Sequence, residues 1–564
     1  MELLEKYFDT AFDSPTGIQE LRSLILKLAM MGKLTTQDPK DQPASELLKE
    51  IQAEKERLIA EGRIKRQKPL PEIKPEEIPY ELPEGWVWCQ FGNISMVVRG
   101  GSPRPAGDDQ YYNGNIPFLK VADLTSNDNI YLDSYTYTIK EAGLHKTRFV
   151  ESGTLMLTNS GATLGIPKIC NFPTTFNDGI AAFLNLHSNL NKIFLYFFLK
   201  SKSSWFLSEA ARGQGQPNLN TDIISSTILA LPPLNEQKRI VAKINELMAR
   251  CDEMERLKTE QTEKRRRTNA AALHRLIKSP DRESFTYSFS FITRNFSHIY
   301  GAKKNVEELK KAVLQLAMMG KLVPQDPKDQ PAGELLKEIQ AEKEKLITEG
   351  KIKRQKPLPE IKPEEIPYEL PAGWVWSRVG IICDLKTGAT PSRSNKDYFG
   401  GNIKWLVSGD IHKREIVDCL GRITPMGMES SNCKILPINS VMIALNGQGK
   451  TRATVAILKT EAACNQSLVA LIPYTRINDL SDFIYWNLHG RYQSLREITG
   501  HDKRRGLNMK IIGSLIIPIP PLNEQKRIVS KINELMSLCD NMIEKIDGAG
   551  ETREKLLQSV LAKV

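Results

Sequence analysis

The feature that most constrains this chain is an internal repeat with a constant offset of 288 residues. The 61 positions from Leu28 to Trp88 share 54 identities with the positions 288 residues further on. A second block, PPLNEQKRIVAKINELM at 232–248, returns at 520–536 with one substitution. Solenoid repeats have periods of about 20–50 residues. The chain is therefore predicted to be a tandem duplication of a whole multi-element unit.

The duplication divides the chain into residues 1–276 and 289–564, with a short joint near 277–288. The copies differ in their middle parts, since residues 89–231 and 377–519 have equal length but largely different sequences. We call these diverged parts the inserts, and we call the nearly identical segments around them the frames. A recent duplication with recombination at the frames is one explanation. The functional explanation is that both frames meet the same kind of partner while each insert meets something different.

Apolar residues recur at alternating spacings of four and three after each PPLNEQ motif, which is the heptad pattern of a coiled coil. The seam residues are Ile240, Ile244, Leu247, Cys251 and Met254 in the first copy, and Ile528, Ile532, Leu535, Cys539, Met542 and Ile546 in the second. Asn235 or Asn523 is predicted to cap each helix. Unbroken from 235 to 276, the first helix would be roughly 60 Å long. The polar outer faces favour antiparallel pairing of the two helices over the alternative, in which each packs only on its own domain.

Each copy begins with a helical arm and a proline-rich strap. An amphipathic helix is predicted around Leu21–Leu28 and around Leu309–Leu316, and LLKEIQAEKERLIAEG at 47–62 is typical of an exposed charged helix. The prolines of KPLPEIKPEEIPYELPEG then exclude helix and predict an extended strap. The strap leads into a strand at Trp86–Trp88.

The inserts alternate short apolar runs with Gly, Asn and Pro turns, which indicates strands. The runs are IPFLKV, GTLMLTN and IAAFLNL in the first insert, and NIKWLVSG, SVMIAL and SLVALIP in the second. Each insert also contains a helical stretch, at 192–210 and at 480–498. The predicted fold class is mixed α/β (α+β): two globular domains separated by two long antiparallel coiled-coil helices, arranged as a pseudo-two-fold tandem duplication.

Predicted domain boundaries follow from these segments. They are 1–88 for the N-terminal helical arm and strap, 89–234 for the first insert domain, 235–276 for the central long helix, 277–304 for the joint, 305–376 for the repeated arm and strap, 377–522 for the second insert domain, and 523–564 for the C-terminal long helix.

The net charge of the chain limits the classes of partner it is expected to bind. The net charge is +11 and the isoelectric point about 9.0, which indicates a polyanion, either nucleic acid or a membrane surface. No stretch approaches the ~20 apolar residues of a membrane span, and the acidic N-terminus lacks the layout of a signal peptide. We therefore expect a cytoplasmic protein with no membrane partner. The eight cysteines contain no C-x-x-C motif, so we expect reduced thiols and no metal.

Catalytic motifs are mostly missing. An amino-methyltransferase needs an Asn/Asp-Pro-Pro-aromatic loop and a glycine-rich cofactor turn, and the sequence contains neither. ALNGQGKT at 444–451 formally matches a relaxed P-loop, but a phosphate-binding loop needs a helix directly after its lysine, and the following TRATVAIL is strand-like. The seven histidines are spread singly. No catalytic residue is assigned.

A binding chemistry remains, carried by three polar turns at corresponding places in the two inserts. They are residues 98–107, 158–165 and 211–220 in the first insert, and residues 387–396, 446–452 and 500–508 in the second. The second insert has 19 Lys and Arg against 11 Asp and Glu, and the first has 11 against 10. Arg reads guanine and Asn or Gln reads adenine through paired hydrogen bonds. Solvated loops are the alternative for any single residue. The candidate DNA-binding residues are Arg99, Arg104, Asn159, Arg212, Gln214, Gln216, Asn218 and Asn220 in the first insert, and Arg393, Lys396, Lys450, Arg452, Lys503, Arg504, Arg505 and Asn508 in the second.

The order of these features resembles that of a known family. The inserts begin with Gly101-Ser102-Pro103 and Gly388-Ala389-Thr390-Pro391, and they end with Leu219-Asn220 and Leu507-Asn508, each followed by a strand, PPLNEQ and a long helix. Together with LAMMGKL and DPKDQPA, this pattern resembles the specificity subunit of type I restriction–modification enzymes over essentially the whole chain.

The resemblance implies two target-recognition domains, each reading one half of a split, asymmetric site in double-stranded DNA, with the paired helices setting the gap. It also implies two modification subunits, which methylate adenine using S-adenosylmethionine, and restriction/translocase subunits that use ATP and Mg²⁺. No cofactor is expected in this chain. Two alternatives stay open at this point: a P-loop nucleotide hydrolase that acts on DNA, and a helical scaffold that binds only proteins.

Overall fold

The computed structural model describes residues 2–210, 218–447, 449–475, 478–498 and 507–562. The chain forms two compact units. The first unit contains Met1–Glu260 and Gly550–Val564, and the second contains Gln261–Ala549. Among the described residues, none of the helices is both long enough and apolar enough to cross a membrane.

The first unit follows the predicted order of arm, strap, insert and long helix. The strap is extended apart from a short 3₁₀ turn at Pro75–Glu77. The helices and strands are α1 (Glu2–Phe12), α2 (Gly17–Met30), α3 (Ala44–Ala60), β1 (Val87–Gln90), α4 (Phe91–Ile94), β2 (Met96–Arg99), β3 (Tyr112–Leu119), α5 (Val121–Leu124), β4 (Tyr131–Leu132), β5 (Tyr137–Ile139), β6 (Arg148–Val150), β7 (Thr154–Thr158), β8 (Pro167–Cys170), β9 (Thr174–Phe176), β10 (Ile180–Leu184), α6 (Lys192–Ser201), α7 (Ser203–Trp205), α8 (Thr221–Ser226), β11 (Ile228–Leu231) and α9 (Leu234–Lys278).

Two sheets build the first insert. One has the order β2-β10-β7-β8-β4, and the other has the order β5-β3-β9-β6. A separate antiparallel pair, β1 with β11, closes the insert where it joins the frame. The strands predicted from IPFLKV, GTLMLTN and IAAFLNL are thereby confirmed as β3, β7 and β10. Strand β10 of the five-stranded sheet is buried except at its last residue. Helix α6 is buried from Phe194 to Leu199, a run of residues that are all apolar or aromatic.

The second unit repeats this plan. Its elements are α10 (Arg282–Arg294), α11 (Phe296–Ile299), α12 (Lys303–Met318), α13 (Ala332–Thr348), β12 (Val375–Arg378), α14 (Val379–Ile382), β13 (Cys383–Thr387), β14 (Phe399–Leu406), β15 (Glu415–Ile416), β16 (Arg422–Ile423), α15 (Pro425–Glu429), β17 (Val441–Ala444), β18 (Val455–Leu458), β19 (Ala463–Cys464), β20 (Leu468–Pro473), α16 (Asn478–Gly490), α17 (Tyr492–Glu497), α18 (Met509–Ser514), β21 (Ile516–Ile519) and α19 (Leu522–Leu561).

The five-stranded sheet of the second insert has the same plan as that of the first, whereas its other sheet has three strands instead of four. Their orders are β13-β20-β17-β18-β15 and β16-β14-β19, and β12 pairs with β21. The strands predicted from NIKWLVSG, SVMIAL and SLVALIP are confirmed as β14, β17 and β20. The mixed α/β fold and the duplication inferred from the sequence are therefore both present.

The two nearly identical segments of each copy contact one another, and we call them together the collar (residues 28–88 with 232–248, and 316–376 with 520–536). In the first unit, Glu236 at the start of α9 accepts hydrogen bonds from Trp86 Nε1 at 2.9 Å and from Gln37 Nε2 at 3.0 Å. Arg239 pairs with Asp41 at 2.7 Å. The arm, the strap and the helix start therefore form one structure, which explains why they are alike in the two copies.

The second collar has the same bonds. Glu524 accepts from Trp374 Nε1 and from Gln325 Nε2, both at 3.0 Å, and Arg527 pairs with Asp329 at 2.6 Å. Gly320, like Gly32 in the first collar, has a positive φ, and a Cβ there would lie 2.4 Å from the ring of the strap residue Pro371. The glycine of LAMMGKL thus allows the strap to close over the arm.

The predicted helix caps are wrong. Helices α9 and α19 begin one residue earlier than expected, at Leu234 and Leu522, so Asn235 and Asn523 lie inside the first turn. Asn235 instead donates a hydrogen bond to Asp41. The collar uses the amide that an isolated helix would have used as a cap.

The seam of each long helix is divided between two kinds of packing. Ile240 and Ile244 are fully buried in the core of the first unit, and Leu247 packs against it. The same core takes up Leu557 and Val560 from the end of α19. Copy two repeats the first part: Ile528 and Ile532 are fully buried in the core of the second unit, with Leu535 packed against it.

Nearer its C-terminus, α9 packs against α19. Ala272, Leu273 and Leu276 share an apolar cluster with Cys539 of α19 in the second unit. Each long helix thus begins in one unit and ends in the other. The joint contains helices α10 and α11, which the sequence had not indicated.

Candidate nucleic-acid interface

One short turn joins the two sheets of the first insert, and we call residues 176–180 its central turn. It connects β9 of the four-stranded sheet to β10 of the five-stranded sheet. The first polar turn is bonded to it: Gly101 N donates to Phe176 O at 3.1 Å, and the Ser102 hydroxyl donates to the Asp178 carboxylate at 2.6 Å. The predicted reader Arg99 donates from Nε to Asp178 O. The central turn therefore fixes the first polar turn.

The second and third polar turns converge on the same place. Asn159 N donates to Gly179 O at 2.9 Å, and Asn159 O accepts from Leu219 N at 2.8 Å. Asn159 is fully buried, and both atoms of its side-chain amide, like Asn218 Oδ1, have no hydrogen-bond partner among the described residues. The structure thus brings Arg99, Asn159 and Asn218 together around one turn.

The second domain has a central turn at residues 464–468, again offset by 288. Ala389 N donates to Cys464 O at 3.1 Å, Thr390 Oγ1 donates to Gln466 Oε1 at 2.7 Å, and Leu445 N donates to Ser467 O at 2.9 Å. A Cβ on Gly388 would lie 1.5 Å from Cys464 O, so glycine is required at this approach. Two diverged sequences thus bring the first polar turn and the start of the second to the same kind of central turn, while most of the third turn of the second insert lies outside the described residues.

Two of the predicted readers have a structural role. Asn220 caps α8 by accepting from Ile223 N at 2.8 Å, and Asn508 caps α18 by accepting from Ile511 N at 2.9 Å. These helices lead into the last strand of each insert. The Leu-Asn motif therefore sets the point at which each third turn ends.

The loop that resembles a P-loop is the tip of the β17–β18 hairpin. Strand β18 follows it, as the sequence predicted, so the nucleotide-hydrolase alternative is not supported. Arg452 donates to Arg496 O at 3.1 Å, and Arg496 in turn donates to Gly449 O at 2.7 Å, which ties the tip to α17. Lys450 is exposed at the tip.

The remaining candidates divide into two groups. Arg104, Arg393 and Lys396 are exposed on the first polar turns. Six further predicted readers lie outside the described residues: Arg212, Gln214, Gln216, Lys503, Arg504 and Arg505.

Sequence reasoning missed the central turns and a nearby surface. Asp178 and Gln466 lie in segments, FNDGI and CNQSL, that share little beyond one asparagine. On the four-stranded sheet of the first domain, Lys120 Nζ lies over the Tyr137 ring, and Phe149 is about half exposed. An alignment of the two inserts at the 288-residue offset would have revealed the shared Asn177 and Asn465.

Among the described residues there is no group of His, Cys, Asp and Glu arranged to hold a metal ion. Seven of the eight cysteines are buried, and none forms a disulfide. Burial raises the pKa of the Cys89 thiol to about 12, so it stays protonated at neutral pH.

The two diverged domains each present polar turns around a central turn of their own, and each is attached to a collar with the same bonds. This arrangement is typical of a protein that recognises two different targets. The family model described as "Type I restriction modification DNA specificity domain" matches residues 83–264 and 371–547. The chain belongs to this family and is a type I restriction–modification specificity subunit with two target-recognition domains.

Relatives match along nearly the whole chain. The EcoAI specificity subunit of Escherichia coli is 32% identical, over 96% of this chain and 93% of that protein. The EcoEI specificity subunit of the same organism is 30% identical over the same shares. The solved HsdS subunit from Thermoanaerobacter tengcongensis is 17% identical, covers 85% of this chain and 97% of its own length, and has a TM-score of 0.42.

Proposed function

We propose that the chain reads a bipartite, asymmetric site in double-stranded DNA as a non-catalytic subunit, each domain reading one half. The observation that carries this is the contrast within each copy: 54 of 61 frame positions are identical, whereas the inserts, of equal length, have diverged. One frame with two inserts fits one kind of protein partner and two different DNA sequences.

The collars are the proposed docking places for two modification subunits. Their apolar cores, buried carboxylates and ion pairs are the same in both units, so each can offer the same surface. The modification subunits would supply S-adenosylmethionine chemistry at adenine, and restriction/translocase subunits would supply ATP- and Mg²⁺-dependent chemistry. The chain's own part would be to choose the site and hold its partners at the right separation.

Methylation mapping in a host that carries the complete system tests this function. We expect methylated adenines within two different half-sites separated by a fixed gap. A second chain, in which residues 377–519 replace residues 89–231 while both frames are kept, should methylate an inverted repeat of the second half-site. An unchanged pattern in that chain would contradict the assignment of half-sites to inserts.

A further inference from the structure

The two central turns carry different side chains at one shared position. Asp178 and Gln466 are 288 residues apart, and each accepts a hydrogen bond from the hydroxyl of the first polar turn, Ser102 at 2.6 Å and Thr390 at 2.7 Å. The two hydroxyls are also 288 residues apart. The same device therefore holds a carboxylate in one domain and a carboxamide in the other.

We propose that Asp178 and Gln466 each read one base of their half-site, and that Ser102 and Thr390 position them. This rests on the proposed function of the chain. Asp178 would take an exocyclic amino group, that of cytosine in particular. Gln466 would take adenine through its amide.

The asparagine that precedes Asp178 or Gln466 is bonded within its own domain and fixes the shape of the central turn. Asn177 N donates to Leu119 O, and Asn177 Oδ1 accepts from Gly179 N; Asn465 repeats both bonds in the second domain. These bonds hold residue 178 or 466 at the crest of the turn. Asp178 is half-buried and Gln466 is exposed there.

Each side chain also retains bonding capacity. Ser102 is bonded to Asp178 Oδ1, and Thr390 is bonded to Gln466 Oε1. Among the described residues, the other side-chain atom of each reader, Asp178 Oδ2 or Gln466 Nε2, has no side-chain hydrogen-bond partner. A carboxylate only accepts hydrogen bonds, and an amide both donates and accepts. Asp accepts from the N4 amino group of cytosine, and Gln forms a paired contact with the N6 and N7 atoms of adenine.

Charge separates base reading from backbone contact. DNA phosphates attract Lys and Arg and repel a carboxylate. Asp178 lies among three turns whose other candidate readers are neutral or basic, such as Arg99 and Asn159. A carboxylate held at their meeting point would weaken binding unless it met an amino group on a base edge.

The test uses the full chain assembled with its modification subunits, with motif mapping in cells as the readout. Asp178→Asn keeps the shape and the hydrogen bond from Ser102 but removes the charge. We expect preference at one base pair of the first half-site to change by about 5- to 150-fold, the range that corresponds to one mismatched base pair in a recognition site. The second half-site should stay the same.

Gln466→Glu is the reciprocal variant and should alter one base pair of the second half-site only. Ser102→Ala should produce a smaller change at the base pair affected by Asp178→Asn, because it loosens the reader without removing it. Asp133→Asn is the matched control: its carboxylate accepts from Asn171 elsewhere on the first domain, and the motif should be unchanged.

If a variant methylates too weakly to map, competition binding of the assembled complex to duplexes varied at each half-site position gives the same information. A purely structural role for Asp178 would lower affinity for all duplexes equally and lower the unfolding temperature. That result, or a motif unchanged by Asp178→Asn, would overturn the inference. A wild-type complex with no bipartite motif would instead overturn the proposed function itself.

Discussion

A buried carboxylate lies at the start of each long helix, and its partners are residues that the two copies share. Glu524 is almost fully buried, and burial raises its pKa. Trp374 and Gln325 supply its two side-chain hydrogen bonds. Because a buried charge depends on its donors, this contact explains why Trp and Glu recur together at an offset of 288.

Removing one donor should be costly. Trp374→Phe is expected to lower the free energy of unfolding by about 1.5–3 kcal/mol, the usual contribution of a hydrogen bond to a charged group, in addition to a small packing loss. Denaturant unfolding measures it. The penalty should shrink in a Glu524→Gln background, and Trp376→Phe, on the half-buried neighbour that contacts Tyr368, should cost much less. Equal losses for the two tryptophans would contradict this interpretation.

His489 is expected to make the second unit sensitive to acid. Although part of its surface is exposed, desolvation by the surrounding protein, followed by the nearby cations Lys310 and Arg414, lowers its pKa below the ordinary value of 6.5. Its ring stacks on Tyr485 and meets Trp486 edge-on. Below about pH 6.5 the unfolded chain binds a proton that the folded chain resists, so stability is lost as the pH falls toward the folded pKa.

His489→Gln should therefore flatten the decline in stability between pH 7 and pH 5, measured by denaturant unfolding at each pH. His412→Gln is the control, since His412 is exposed like His489 but has no aromatic ring contact among the described residues. A decline that remains as steep without His489 would show that another group controls it.

At the scale of elements, we expect the tip of the β17–β18 hairpin to contact DNA and not a nucleotide. Lys450→Ala is expected to weaken DNA binding and to reduce the slope of log affinity against log salt by about 0.9, the value of one phosphate contact. The variant and the parent chain should both fail to bind ATP in calorimetry. Lys459→Ala, at the other end of β18 and bonded to Asn439, should leave the slope unchanged. Micromolar ATP binding by the parent chain would be evidence against this reading.

The sequence predicted elements well where one physical requirement set the pattern. The apolar run in SLVALIP and the prolines of the strap each have one structural explanation, and both predictions were confirmed. The seam of the long helices was harder, because packing on a domain and pairing with a helix impose the same spacing. Ile240 serves the first and Leu276 the second.

The central turns could not have been predicted in the same way. Ser102 and Asp178 are 76 residues apart in the chain, and no local pattern connects a hydroxyl with a carboxylate at that distance. The predicted readers Asn220 and Asn508 illustrate the converse, since a Leu-Asn motif suited to adenine is equally suited to a helix cap.

At the scale of the whole molecule, each unit is completed by the end of a helix from the other copy. Leu557 and Val560 of α19 are buried in the core of the first unit. At an offset of 288, the corresponding residues of α9 are Asn269 and Ala272. A chain of residues 1–276 alone would lack α19, but a second identical chain could supply its own α9 end in that place.

We therefore expect the 1–276 fragment to form a symmetric dimer, the common closed arrangement of identical chains. The dimer would place Asn269 where the full chain places Leu557, and a buried amide is a poor substitute for leucine. Asn269→Leu should tighten the dimer, as measured by analytical ultracentrifugation. Asn245→Leu, a polar-to-apolar change on the exposed surface of the same helix, is the control and should have little effect.

With modification subunits present, the same fragment should methylate an inverted repeat of the first half-site, and the second half-site should vanish from the pattern. The reason is that both recognition domains of such a dimer carry the same insert. The gap between half-sites can differ slightly, since α10 and the rest of the joint are absent. A fragment that stays monomeric with Leu at position 269, or one whose methylation stays asymmetric, would mean that the two copies cannot replace one another in completing a unit.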